Sequence, residues 1–258
     1  AQPLIHCITN PISIHDCANI ILAAGGRPIM AEHPAEVAEI TSHSQALALN
    51  LGNITDARME SMPKSLETAS RLHIPVMLDL VGTACSNLRY EFAQKLMSIH
   101  MPKLLKGNMS ELLAMSGQTA HAIGIDAGTQ DVLTNDNRSR LKDLFQKKAA
   151  QWNTTLLITG KEDMVISANE CAFITNGTSS MSQITGTGCM LGMICATYLA
   201  VADPFTAALS AATEFGIAGE KAEKNSSGPG SFQIELFDQF YKLTEQDINS
   251  SQKVLFAK

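Results

Sequence analysis

Ala46-Leu47-Ala48-Leu49-Asn50 and Pro75-Val76-Met77-Leu78-Asp79 are two short apolar runs, each closed by a polar residue, and the helix-like segment Ala57–Leu72 lies between them. Runs of this length, without alternation, suit strands buried on both faces. The same alternation continues outward. Pro28-Ile29-Met30 lies upstream and Thr155-Leu156-Leu157-Ile158-Thr159 downstream, with helix-like segments at Asp16–Ala24, Arg89–Ile99, Asn108–Met115 and Arg140–Gln151. This pattern predicts an α/β fold with a mainly parallel central sheet flanked by helices. Met164 to Thr175, turning at Ala168-Asn169-Glu170, reads as a hairpin at the sheet edge. After Gly188 the chain turns helical, over Cys189–Ala202, Pro204–Lys224 and Phe232–Lys242. No repeat or Pro/Ser-rich linker divides it, so residues 1–258 are expected to form a single domain. The predicted strands end at Asn10, Gly52, Asp79, Gly107-Asn108 and Thr159-Gly160, and in open α/β sheets that carboxyl edge binds ligands.

Composition narrows the partners. With 45% hydrophobic residues in 258, the chain can bury a sizeable core. A net charge of −6 without a basic run argues against nucleic acid and anionic lipid. The longest apolar stretch, Cys189 to Ala202, is broken by Gly192 and too short to span a bilayer. The opening Ala1-Gln2-Pro3-Leu4-Ile5 lacks the basic start of a signal peptide, and the absent initiator Met suggests a trimmed or late start. A cytoplasmic enzyme is expected. Its six cysteines form no C-x-x-C pair and have no His at zinc spacing, so reduced thiols are the expectation.

The sharpest chemical signal is Ile184-Thr185-Gly186-Thr187-Gly188-Cys189-Met190-Leu191-Gly192. Glycines and a small hydroxyl residue open a long apolar helix, whose first N–H groups attract an anion such as a phosphoryl group in transfer. Taken alone, a helix start serving only packing explains it somewhat better. In Lys106-Gly107-Asn108-Met109-Ser110-Glu111 a strand ends in a cation, and Asn108 with Glu111 matches a capping box. The alternative places Lys106 on a nucleotide phosphate and Glu111 near Mg²⁺. Asp79 is a further candidate, since magnesium favours one or two carboxylates beside phosphate oxygens; a loop-capping aspartate fits equally. Thr159-Gly160 offers a hydroxyl and open backbone. Gly160-Lys161-Glu162 is not a Walker A motif.

Taken in order, these pieces resemble the ribokinase-like superfamily, and within it the hydroxyethylthiazole kinases. The likeness rests on His6-Cys7-Ile8-Thr9-Asn10, Gly26-Arg27-Pro28-Ile29-Met30, Leu78-Asp79, Lys106-Gly107-Asn108-x-x-Glu111, Ile158-Thr159-Gly160 and Gly186-Thr187-Gly188-Cys189. Ala218-Gly219-Glu220 and Gly228-Pro229-Gly230-Ser231-Phe232 extend it nearly to the end of the chain. Cys189 is the mark of this family, where other members of the superfamily usually place an aspartate base. The resemblance implies phosphorylation of 5-(2-hydroxyethyl)-4-methylthiazole in thiamine salvage, with ATP and Mg²⁺, by a homotrimer with sites at subunit interfaces. It implies Met30 and Gly186 against the thiazole, with Asn10, Ile12 and Gly52 nearby. Lys106, Thr159 and Asn108 serve ATP, Asp79 and Glu111 the magnesium and phosphates, and Gly186, Thr187, Gly188 and Cys189 the transfer. Cys189 orients the alcohol or acts as its base. Two positions depart from the family pattern: Leu80 replaces a usual proline, and Lys106 stands where many relatives carry arginine.

Other readings remain open. A dinucleotide-binding oxidoreductase would need an acidic strand end about 20 residues on, and Asp203 precedes Pro204 between helices instead. A hydroxymethylpyrimidine or other small-alcohol kinase is the nearest rival. The missing aspartate also raises a weakly active thiazole-binding protein. The histidines fall at no ligand spacing; His6, before Thr9-Asn10, reads best as a satisfied core residue.

Overall fold

The computed structural model describes residues 2–122, 124–128, 131–134 and 136–257. The chain runs β1 (Leu4–Ile8), α1 (Ile14–Ala23), β2 (Arg27–Ile29), α2 (Val37–Ser42), β3 (Ala46–Asn50), α3 (Asp56–Leu72), β4 (Val76–Asp79), α4 (Asn87–Ile99) and β5 (Leu104–Asn108). It continues through α5 (Met109–Met115), α6 (Arg138–Trp152), β6 (Thr155–Thr159), β7 (Asp163–Ile166), β8 (Cys171–Ile174), α7 (Thr187–Leu199), α8 (Pro204–Asn225), α9 (Pro229–Lys242), α10 (Glu245–Ser251) and β9 (Val254–Phe256). Among the described residues these strands form one nine-stranded sheet in the order β2-β1-β3-β4-β5-β6-β7-β8-β9. Neighbours from β2 to β6 pair in parallel, and the last three strands pair antiparallel.

Strand alternation divides the core between the two faces of the sheet. Ile5, Ala46, Ala48, Met77, Leu104 and Leu157 join a cluster with α1, α7, α8 and α9. Leu47, Leu49, Val76, Leu78, Leu105 and Leu156 join the opposite cluster with α3, α4, α5 and α6. Because both faces are covered, the strands can be continuously apolar. Helix α7 is buried from Met190 to Thr197, which its uniformly apolar sequence allows. Gly192 permits that depth: a Cβ there would stand 3.0 Å from Met77 Cε.

The 164–175 hairpin forms but does not end the sheet, because β9 pairs with β8 and takes the edge. β9 is too short to stand out in the sequence. Its place is fixed by tertiary bonds, Asn176 accepting from Lys253 N at 2.7 Å and donating to Ser251 O at 2.9 Å. Helices α2 and α10 also escaped the sequence reading, being short segments without a strong apolar period. No described helix is long and apolar enough to cross a membrane. All six cysteines are free.

Candidate active site

The sheet topology fixes where the site can be. From β1 the chain passes to β2 on one side and then to β3 on the other, so the connections diverge at the carboxyl ends of β1 and β3. Such a switch point opens a crevice. Asn10 follows β1 there, and Asn50 ends β3.

Register brings the polar strand ends together. Asn50 pairs with Asp79, and Asp79 with Lys106, at one level across β3, β4 and β5. Each lies two residues beyond a side chain of the α7-side core (Ala48, Met77 and Leu104), so all three point to the face that α7 covers. The first turn of α7 meets this row. Cys189 Sγ accepts from Asn10 Nδ2 at 3.2 Å and from Asn50 Nδ2 at 3.3 Å. Asn10 is held in turn by Ser13, whose N and Oγ each donate to its Oδ1 at 3.1 Å. Asn50 Oδ1 accepts from Gly52 N at 2.8 Å, which ties the turn after β3 to the same network.

Gly186 precedes α7 with φ +93°, in the left-handed region that glycine occupies cheaply. A Cβ on it would fall 2.8 Å from Ser13 Cβ, so this loop also packs directly on the start of α1. The first N–H groups of a helix have no intrahelical acceptor, and those of Thr187, Gly188 and Cys189 form a cationic pole at the crevice. Lys106 adds a formal charge beneath it, its Nζ lying 3.7 Å from where a Cβ of Gly188 would stand.

Lys106 Nζ donates to Asp79 Oδ2 at 2.9 Å, with both side chains almost wholly buried. Burial works against the ammonium charge, but the Asp79 carboxylate outweighs it and raises the lysine pKa. Leu80 donates its N–H to Lys106 O at 2.8 Å. That bond, which proline could not make, extends the β4–β5 ladder and steadies the loop.

Glu111 makes the capping box its sequence suggested: Asn108 Oδ1 accepts from Glu111 N at 2.9 Å, and Glu111 Oε2 from Asn108 N at 2.7 Å. Its Oε1 also accepts from Gly82 N at 2.7 Å, so it clamps the loop after β4 as well. Burial pushes its carboxyl up to about 7, with the nearby Asp79 charge adding to the rise and the backbone donors opposing it. Thr159 lies beside Asn108 in register and donates from Oγ1 to Gly107 O at 3.4 Å. Met30 is half-buried against the α7-side core, whereas Ile12 is 63% exposed.

Sequence reading passed over Asn50, Ser13, Gly82 and Asp163. Asn50 was legible as the polar end of an apolar strand. Asp163, whose Oδ1 accepts from Gly160 N at 2.9 Å and closes the turn after Thr159, carried no such signal. His6 is the satisfied core histidine expected, its ring nitrogens 2.8 Å from Thr41 Oγ1 and 2.9 Å from Ala31 O. The dinucleotide reading fails on context: no strand runs directly into Gly186, and Asp203 is the N-cap of α8.

The model of the hydroxyethylthiazole kinase family matches residues 1–246. A hydroxyethylthiazole kinase 2 of Clostridium botulinum is 44% identical over 247 residues, covering 96% of this chain and 93% of the relative. A hydroxyethylthiazole kinase 1 of Methanosphaera stadtmanae is 37% identical over 263 residues, covering 98% and 92%. Among solved structures, the hydroxyethylthiazole kinase protein of Pyrococcus horikoshii superposes with a TM-score of 0.89 at 32% identity, covering 100% of this chain and 94% of the other. The pyridoxal kinase of Staphylococcus aureus, at TM-score 0.66 and 14% identity over 100% of this chain and 99% of its own, and a ribokinase-like superfamily protein of Enterococcus faecalis, at TM-score 0.64 and 14% identity over 93% and 86%, share the fold. This chain belongs to the hydroxyethylthiazole kinase family.

Proposed function

We propose that this chain transfers the γ-phosphoryl group of ATP to the primary alcohol of 5-(2-hydroxyethyl)-4-methylthiazole, with residues 1–258 acting as one kinase domain. The observation that carries the site assignment is the Cys189 sulfur held by two amides at the switch point, beneath the cationic start of α7. A sulfur that accepts from two amides suits a third donor, and the alcohol O–H is one. The acceptor pocket comprises Asn10, Gly52, Gly186 and Met30. Ile12 completes it from a neighbouring subunit of a homotrimer; its exposure in the single chain supports this.

In the reaction the alcohol oxygen bonds to the γ-phosphorus as the bond from phosphorus to the β–γ bridging oxygen breaks, and ADP leaves. The alcohol proton departs toward Cys189, late in a loose transition state where positioning dominates. The N–H groups of Thr187, Gly188 and Cys189, with Lys106 beneath, stabilise charge on the transferring group. Thr159 and Asn108 border the nucleotide.

The donor set fits Mg²⁺, which keeps several waters and binds mainly through nucleotide phosphates. Asp79 and Glu111 would hold it, largely through water, because Asp79 Oδ2 already meets Lys106 and both Glu111 oxygens already accept backbone N–H groups. Bound there, magnesium would neutralise phosphate charge. Mass spectrometry of the thiazole after incubation with ATP and Mg²⁺ tests the proposal. A phosphate ester on the hydroxyethyl oxygen is expected. Unmodified thiazole, with ATP consumed or untouched, would overturn it.

A further inference from the structure

Strand β1 is flanked by β2 and β3, and a segment leaves the carboxyl edge on each side of it: Met30–Glu32 after β2 and Gly52–Asn53 after β3. One side chain reaches both. Arg58, in the first turn of α3, is buried, and its Nε donates to Glu32 Oε2 at 2.8 Å while its Nη1 donates to Asn53 O at 2.7 Å. Ser61, further along α3, adds an Oγ bond to Glu32 O at 2.7 Å. Asn53 itself has φ +47°, so its carbonyl is presented from a left-handed turn.

Burying a guanidinium is costly, and a hydrophobic side chain of similar volume would often stabilise the fold as well or better. What arginine alone supplies is a planar fork with donors at fixed angles, able to hold acceptors on two separate segments in one geometry. Those segments carry Met30 and Gly52. Gly52 is wedged against the two amides that hold Cys189, since a Cβ on it would stand 2.9 Å from Asn50 Oδ1 and 3.0 Å from Asn10 Nδ2. Displacing Asn53 therefore moves the floor under Asn10 and Asn50, and displacing Glu32 moves Met30.

We infer that Arg58 is a positioning residue for the acceptor pocket: its guanidinium clasps the segments after β2 and β3 at a fixed separation and so sets the fit of the thiazole alcohol. The inference rests on reading Met30 and Gly52 as acceptor contacts.

Steady-state kinetics of the full chain, varying thiazole and ATP separately, test it. Arg58→Met should raise the thiazole KM about tenfold or more while the ATP KM stays within about twofold. Arg58→Lys, a point charge that reaches one partner, should fall between it and wild type. An unchanged thiazole KM in Arg58→Met, an equal rise in both KM values, or wild-type kinetics in Arg58→Lys would each overturn the clasp. Should Arg58→Met fail to fold, Glu32→Ala replaces it: Glu32 is 44% exposed, so water can enter where its carboxylate stood and take the Arg58 Nε bond, and the fold should survive. It should raise the thiazole KM alone, by about threefold; no change refutes the inference. Met30→Ala separates the two levels. If it leaves the thiazole KM unchanged, the acceptor-pocket reading is wrong and the inference falls with it. If it raises that KM and Arg58→Met does not, only the clasp is wrong.

Discussion

Replacing Lys106 by Met removes one half of the Asp79–Lys106 pair and strands the other. Both side chains are nearly solvent-free, 5% exposed for the lysine and 3% for the aspartate, and their contact is 2.9 Å. Little water is on hand to replace the lysine beside the abandoned carboxylate. Breaking a buried pair from one side costs about 3–5 kcal/mol. In a chain of this size each kcal/mol moves the melting temperature by about 2–4 °C, so a fall of about 6–20 °C is expected. The double variant Asp79→Leu/Lys106→Met removes both charges, and replacing a buried pair by apolar groups is often neutral or stabilising. Calorimetry should therefore show the single variant strongly destabilised and the double variant recovered. A phosphotransfer assay should find both inactive, because the charge beneath Gly188 is gone in each. A single variant melting like wild type would refute the buried-pair argument. Activity returning with stability in the double variant would show that the pair serves the fold only.

Cys189→Asp should retain activity, since a carboxylate can accept from the Asn10 and Asn50 amides as the sulfur does; Cys189→Ala should lower kcat modestly, near or below the ~10²-fold end of general-base effects, and loss by many orders in a kinetic assay would contradict the positioning role. Gly186→Ala should cut kcat and cost at least about 1–2 kcal/mol from the left-handed backbone alone, with the contact to Ser13 adding to it; wild-type melting and turnover would sink that reading. Glu111 has a carboxyl pKa raised from 4.5 to about 7, so the folded state holds a proton that the unfolded chain has released. Stability should fall as pH rises from about 4.5 to 7, and chemical denaturation of Glu111→Gln across that window should show a shallower fall than wild type. Light scattering should give a trimer, and a monomer at micromolar protein would leave Ile12 outside the pocket.

Much of this site was legible because strand ends advertise themselves. Asp79 and Lys106 each close an apolar run, and parallel register puts such ends at one edge, so neighbours in the sheet become neighbours in the site. The glycines around Cys189 likewise announced the helix start that the fold has there. Asn50 was within reach of the same reasoning. Arg58 and Asp163 were not, because nothing local distinguishes an arginine in the first turn of a helix, or an aspartate opening a hairpin strand, from a solvated one. Their roles arise from partners such as Glu32, reached only through the tertiary fold. Glu111 shows the converse. Its capping-box spacing was readable, but the bond from Gly82 N, which turns a local cap into a clamp between loops, was not.

The most direct test of the central claim is a comparison of kcat/KM for the hydroxyethylthiazole and for a hydroxymethylpyrimidine alcohol, measured by ADP release with the same enzyme preparation, ATP and Mg²⁺. The account predicts efficient turnover of the thiazole and little of the pyrimidine. Phosphorylation of the pyrimidine with the thiazole ignored, or no turnover of either by folded protein, would contradict it.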